Sequence, residues 1–311
     1  MVKGTYVFSE NGKEIYRSEN IITLYGKRFL TNFIAGNITD HKKDLAFGID
    51  STAATETDTR LGFEFYRLPV EFGSTDIYSD ENGIKYFVVY KTVLPVDVAG
   101  VIKEVGTYPS RRSSSNSFDS KFISDFSDQF AWQDSDLFNP ERSTTGALIG
   151  EDVLSFTSGT GTEKEYSCTI TETDFSGYSV NDSIKFSYYK NDNNLDKIKI
   201  RFYSSDAAYY EIEIVDNSGT GNKISSDILL SVLYAGANSE NPDISKINKI
   251  GIVVVPKSGV QTTVGMDALR INDEDSFDPT YGLISRSVLS SPLTKIVGRL
   301  VDVEYRMELS F

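Results

Sequence analysis

Residues 301–311 alternate strictly: Val301, Val303, Tyr305, Met307, Leu309 and Phe311 are apolar, and each residue between them is polar or charged. A period of two is the mark of a strand with one buried face, and that face needs a core. The segment from Thr280 onward is too short to supply one, so its strands must join a sheet built elsewhere. Residues 101–107 and 282–288 say where, since both alternate apolar with polar residues and read as half-buried strands that pair with each other. The region between them has its own strand and turn signals, bounded by Ser113-Ser114-Ser115-Asn116-Ser117 and Asn272-Asp273-Glu274-Asp275-Ser276. The sequence therefore predicts one β domain inserted into a loop of another: a framework of residues 1–112 and 279–311, and an inserted domain of residues 113–278.

A chain of 311 residues has room for two cores. With 19 Phe and 18 Tyr, polar turn residues crowding the gaps, and a single long stretch of helical spacing, the class is mainly β and antiparallel. Subtracting 45 acidic from 31 basic side chains leaves −14, which opposes attraction to phosphate backbones and anionic lipid, so neither nucleic acid nor membrane is an expected partner. The longest aliphatic run, residues 250–255, is closed by Pro256, far short of the roughly 20 residues a spanning helix needs. Residues 1–5 lack the apolar core of a secretion signal, and the chain is expected to be soluble with no export route of its own.

Cys168 is the only cysteine, so no intrachain disulfide forms; it reads as a small apolar residue within a strand. His41 is the only histidine, and beside Asp40, Lys42 and Lys43 it reads as an exposed loop residue rather than the base of a nucleophile. Asp192, Asn194 and Asp196 have the spacing of a calcium-loop start, but Lys197 stands where that loop needs glycine, and a turn is expected. Asp273, Glu274 and Asp275 read as an acidic linker. No phosphate-cradling glycine loop, CxxC pair or GxSxG elbow is present. The expectation is no catalytic residue, no cofactor and no metal.

In the framework, Asn11-Gly12 is a tight-turn dipeptide and predicts a first hairpin. Ile22, Tyr25, Phe29 and Phe33 recur at spacings of three and four, which predicts one helix, capped by Asn20, stopped at Gly36 and laid against the sheet by its apolar face. Residues 45–49 read as a buried strand and residues 50–58 as a long, acidic, mobile loop. Residues 86–94 are apolar on both alternations, the pattern of a strand covered on both faces. In the insertion, strands are predicted at residues 153–156, 165–170, 183–189, 197–203, 209–215, 228–233, 249–255 and 264–271. Such a run without a long helix suggests a two-sheet sandwich or jelly roll.

Lys197, Lys199, Arg201 and Tyr203 share one alternation, and Glu211 and Glu213 answer them across the next turn. As cross-strand neighbours these opposite charges contribute a few tenths of a kcal/mol each. A solvated, charge-paired face explains them better than a catalytic carboxylate pair. Tyr189, Tyr203 and Tyr209 fall on the outward alternation, where flat rings can stack on sugars or can cover loops and a neighbouring domain. Trp132 has the same two readings, ligand platform or core plug. These four are the candidate glycan contacts.

The order Asn20-Ile21-Ile22-Thr23 opening a helix, residues 45–49, an acidic loop, Leu61 through Arg67-Leu68-Pro69-Val70, Ile102-Lys103-Glu104-Val105-Gly106, Leu283-Ile284-Ser285-Arg286, Lys295 and the alternating strand resembles small β-rich structural proteins from the tails and baseplates of tailed bacteriophages. In those proteins the Glu-Val-Gly strand runs almost directly into the Ser-Arg strand; here the inserted region intervenes. Within it, residues 175–186, 244–252 and 265–271 are similar in order to the β-sandwich of carbohydrate-binding modules, which implies fold more than ligand. Together the resemblances imply a non-enzymatic virion protein of the tail or baseplate, assembled in the host cytoplasm. Its partners would be other virion proteins, copies of itself and host surface polysaccharide. A capsid decoration protein, or a soluble carbohydrate-binding protein with no virion role, is the alternative.

Overall fold

A computed structural model describes residues 2–37, 43–80, 83–110, 120–215, 219–272 and 282–310. His41, the serine-rich segment 113–117 and the acidic residues Asp273, Glu274 and Asp275 lie outside the described residues. The chain divides into two compact units: Met1–Phe118 with Phe277–Phe311, and Asp119–Ser276. Both are built from antiparallel sheets, so the structure is mainly β, as the sequence predicts.

The first unit opens with β1 (Val2–Glu10), β2 (Lys13–Glu19), β3 (Ile21–Ile22), helix α1 (Leu24–Ile34) and β4 (Lys43–Gly48). It continues with β5 (Glu64–Asp80), β6 (Gly83–Leu94) and β7 (Gly100–Pro109). The second unit begins with β8 (Ser120–Ser124), β9 (Trp132–Asp134), β10 (Glu141–Ser143), β11 (Val153–Thr157), β12 (Lys164–Thr173) and β13 (Ser183–Lys190). Next come β14 (Leu195–Tyr203), β15 (Tyr209–Val215), β16 (Gly221–Ile224), β17 (Ile228–Leu229), helix α2 (Leu230–Ala235), β18 (Ile247–Pro256) and β19 (Thr263–Asn272). The chain then returns to the first unit as β20 (Ser285–Lys295) and β21 (Val301–Ser310).

The first unit has strand order β2-β1-β21-β6-β5-β4-β7-β20-β3. The expected pairing of separated strands is present, with Ser285 opposite Thr107 and Val288 opposite Glu104. β21 lies between β1 and β6, paired with both along most of its length. Its alternation does what period two requires: Val301, Val303, Tyr305 and Met307 are buried. The two ends of the strand order meet, because a single residue, Asn20, joins β2 to β3. Its N–H donates to the Gly4 carbonyl at 3.0 Å, while Ser18 and Tyr16 reach Ser287 and Ser290 on β20 at 2.6 and 2.9 Å. The sheet thus bends round on itself over a core in which Tyr6 stacks on Tyr305 at 5.0 Å. The Tyr6 hydroxyl meets those of Thr107 and Ser285 at 2.6 and 2.7 Å.

Three local expectations are corrected. Thr23, not Asn20, caps the helix: its Oγ1 accepts from the Gly26 N–H at 2.9 Å, while Ile21 and Ile22, β-branched residues suited to extended backbone, pair with Arg286 and Ser285. The helix buries Phe29 but leaves Leu24 and Phe33 exposed. β6 is not covered on both faces, since Tyr86 and Val93 are exposed. The acidic loop after β4 is tied down rather than free. Gly62 and Phe63 donate their N–H groups to the Glu104 carboxylate at 3.0 and 2.8 Å, and Arg286 bridges Glu104 to Asp58 at 2.8 Å each. A buried guanidinium needs carboxylates around it, and the loop supplies one of them.

The second unit is a two-layer sandwich. One sheet runs β10-β11-β19-β13-β16, with β17 also on β13 and β8 on β19; the other runs β15-β14-β18-β12-β9. Between them lie Trp132, Phe156, Phe186, Phe202, Ile250, Ile252 and other apolar side chains. Residues 228–233, read as one strand, divide instead into β17 and α2, because Leu230 and Leu233, one helical turn apart, are both buried.

Candidate functional site

The outward face of the five-stranded sheet is organised by register. Ile198, Ile200, Phe202 and Ile212 point into the core, so Lys197, Lys199, Arg201 and Tyr203 take the other side. One row across the sheet reads Tyr209, Tyr203, Lys249, Thr169, and the next Glu211, Arg201, Gly251, Ser167, Gln133. A third reads Glu213, Lys199, Val253, Glu165.

At the centre, Arg201 donates to Glu165 at 2.6 Å and to Glu211 at 2.7 Å, with its guanidinium 4.8 Å from the Tyr209 ring centre. Burial opposes charge on Arg201, and the two carboxylates outweigh it, holding the guanidinium firmly protonated. The Tyr203 hydroxyl makes a short hydrogen bond to Glu165, which together with burial pushes its pKa well up. Its ring lies 5.2 Å from Tyr209 and carries the Lys249 ammonium at 4.3 Å. Gly251 makes this possible: a Cβ there would lie 2.2 Å from the Glu165 carboxylate and 3.1 Å from the Tyr203 ring. Lys197 pairs with Glu213, Lys199 with Glu163 and Lys249 with Asp206, each at 2.8 Å. The charges form the paired, part-solvated face expected of this hairpin. A half-buried ring among fixed donors and acceptors is suited to a polar, hydroxylated ligand.

The four residues singled out in the sequence do not form one platform. Tyr209 is half-buried on the face just described, whereas Tyr203 beside it is buried and serves the cluster. Tyr189 belongs to the other sheet, opposite Gly265, and Gly146 is packed so closely on it that an added Cβ would lie 2.3 Å from the ring. It covers a loop. Trp132 is buried in the core, stacked on Phe126 at 5.2 Å and edge-on to Phe156 at 5.4 Å. Period-two counting cannot tell which sheet a strand joins, and that misplaced Tyr189. Glu165 and Lys249 were missed because their strands become neighbours of β14 and its turn only through the sheet order, and Asp206, in that turn, finds its partner only when Lys249 arrives; a glycine between Ile250 and Ile252 was the available signal of close approach.

Asp192 accepts from the Asn194 N–H and from the Thr262 hydroxyl, both at 2.8 Å, which makes the calcium-like spacing a turn. Cys168 is buried on β12, and burial pushes its thiol up.

No family model matches the chain, and no curated protein matches it. Solved structures do resemble it in part. The family 11 carbohydrate-binding module of Clostridium thermocellum, in complex with a β-1,3-1,4-mixed-linked tetrasaccharide, is 13% identical with a TM-score of 0.36, covering 50% of this chain and 95% of that one. A family 61 module in complex with β-1,4-galactotriose is 15% identical with a TM-score of 0.29, covering 48% and 90%. An exo-β-agarase is 14% identical with a TM-score of 0.36, covering 51% of this chain and 26% of that one. Values of this size settle neither family nor ligand.

Proposed function

We propose that the protein is a non-enzymatic structural component of a tailed-bacteriophage virion, held in the tail or baseplate by its first unit, whose sandwich contacts host surface polysaccharide. The observation that carries the glycan part is the set Tyr209, Arg201, Glu211 and Glu165: a half-buried ring backed by a guanidinium that two carboxylates fix in place. Sugar recognition uses that combination of an apolar ring face with bidentate polar groups. The virion part rests on the order of motifs in residues 1 to about 110 and 280 to 311, and on aliphatic side chains that the first unit leaves exposed, among them Ile34, Ile77 and Leu300. Assembly would take place in the host cytoplasm.

The test is calorimetric titration of the full chain with purified host surface polysaccharide. Weak binding is expected, reduced at least about tenfold by Tyr209→Ala, with Tyr189→Ala no different from wild type. No heat with any host polysaccharide would leave the sandwich a spacer. Binding to polysaccharide by a protein absent from purified particles would favour the soluble carbohydrate-binding alternative.

A further inference from the structure

The charged groups around Tyr209 differ from an ordinary polar surface in how fully they are engaged with one another. The outward side chains of β14, β15 and β18 include four cations, Lys197, Lys199, Arg201 and Lys249. Each lysine holds one carboxylate at 2.8 Å, and Arg201 holds two, at 2.6 and 2.7 Å. Four positive charges against five negative ones leave this set at −1, within a chain of −14.

That pairing decides which ligand charge the face accepts. A uronate or sulfate group approaching Arg201 meets a guanidinium already bonded to Glu165 and Glu211, and binding it means displacing a part-buried carboxylate that is then left without a cation. At the lysines the carboxylate is the more exposed partner every time: Glu213, Glu163 and Asp206 are 42, 47 and 102% exposed, against 26, 15 and 22% for the ammonium side chains they neutralise. An approaching anion therefore meets like charge first. A cation gains little from the rings, because Arg201 and Lys249 already lie 4.8 and 4.3 Å from the ring centres of Tyr209 and Tyr203. An uncharged sugar meets neither obstacle. Its C–H face stacks on Tyr209, and a hydroxyl donates to Oε1 of Glu211, since the Arg201 bond to Glu211 is made to Oε2.

We propose that this face, acting as the glycan contact proposed above, takes polysaccharide built from uncharged sugars and excludes chains carrying uronate or sulfate groups. The charge selection rests on that contact, and the outcomes of one experiment separate the failure of each.

The test is calorimetric titration of the full chain with uncharged polysaccharides (dextran, laminarin, mannan and galactan) and acidic ones (polygalacturonate, alginate and chondroitin sulfate), in about 20 and about 500 mM NaCl. Uncharged chains should bind with a Kd that is the same within about twofold at both salt concentrations, because no ligand charge is neutralised, and acidic chains should bind at least about tenfold more weakly. Asp206→Asn combined with Glu213→Gln leaves Lys249 and Lys197 without their carboxylates. Both altered side chains are exposed, and a circular dichroism melt matching the wild type establishes that the variant is folded. It should bind polygalacturonate at least about tenfold more tightly than the wild type does at the lower salt, and lose that gain at the higher. Acidic chains bound by the wild type as tightly as uncharged ones, or no gain in the folded variant, would overturn the charge selection and leave the glycan contact standing. No binding to any of these polysaccharides would overturn both.

Discussion

Glu104 and Arg286, 182 residues apart in the chain, form a buried ion pair at 2.8 Å that ties β7 to β20. Glu104 is fully buried and Arg286 nearly so, and the pair also collects the N–H groups of Gly62 and Phe63 and the carboxylate of Asp58. It is one of the points at which the chain before the second unit is fastened to the chain after it, beside the pairing of β20 with β7 and of β21 with β1 and β6.

Removing Glu104 leaves the buried Arg286 guanidinium with Asp58 as its one carboxylate partner in place of two, which costs about 3 kcal/mol. Glu104→Gln should therefore lower the melting transition of the first unit by roughly 10 °C. Glu104→Gln combined with Arg286→Met should recover part of that loss, because no fully buried charge is left unpaired and the Asp58 carboxylate released by the change is partly exposed. A change below about 1 kcal/mol for Glu104→Gln would show that the pair contributes little to holding β20 on β7. Calorimetric melts of the three variants measure both effects.

The same cluster gives a pH dependence. Burial alone would raise the Asp58 carboxyl, but hydrogen bonds from Thr55 and Arg286 outweigh it and hold the pKa below the ordinary aspartate value. Asp134, facing Lys164, and Glu304, facing Lys91 and Arg306, are depressed for the same kind of reason, burial being outweighed by their partners. A depressed carboxylate contributes stability that is fully present above its unfolded value of about 4 and is lost as pH falls through the folded value. Melting temperature should hold level from pH 7 to about 5 and fall below about 4. Burial pushes Glu104 up instead, with the opposite sign, so the Asp58 contribution is read from the difference between wild type and Asp58→Asn. Equal acid slopes for the two would remove Asp58 from the account.

How far the sequence reached depended on whether a signal was local. The strict alternation of residues 301–311 is a local property that any buried sheet face enforces, and β21 lies where that reasoning put it, in a sheet with earlier strands. Asn11 and Gly12 likewise have the positive φ angles, 51° and 75°, that their turn requires. The capping error came from a contest that Asn20 lost, because Ile21 and Ile22 gain more by pairing with β20 than by starting the helix one turn earlier. The candidate site was half legible. Lys197, Lys199, Arg201, Glu211 and Glu213 sit on one hairpin and could be paired by counting, while Glu165 and Lys249 arrive from strands whose neighbours only the sheet order decides.

Gly251 tests whether the site depends on that close approach. Gly251→Ala places a methyl group against Glu165, so the ring of Tyr203 and the guanidinium of Arg201 lose a shared partner. The sandwich should lose about 1–3 kcal/mol. Gly177→Ala is the control, since nothing lies within 4 Å of a Cβ there, and its effect should stay within about 0.5 kcal/mol. Equal urea midpoints for the two variants would mean that Glu165 moves aside freely.

The second unit should fold by itself. Residues 113–278 expressed alone should unfold cooperatively, and a chain joining Arg112 to Pro279 should keep a folded first unit, because inserted domains enter at loops whose ends lie close together. Amide spectra of both pieces decide it: dispersed resonances in both are expected, and a disordered excised piece beside a folded full chain would misplace the boundaries.

The most direct measurement counts the protein in purified particles by quantitative mass spectrometry and places it by immunogold labelling. It compares the full chain with a chain lacking residues 113–278. The account predicts both at the same fixed copy number at the tail end of the particle, with host polysaccharide binding lost from particles carrying the shortened chain. Absence of the full chain from particles, label on the capsid shell, or loss of incorporation when residues 113–278 are removed would contradict it.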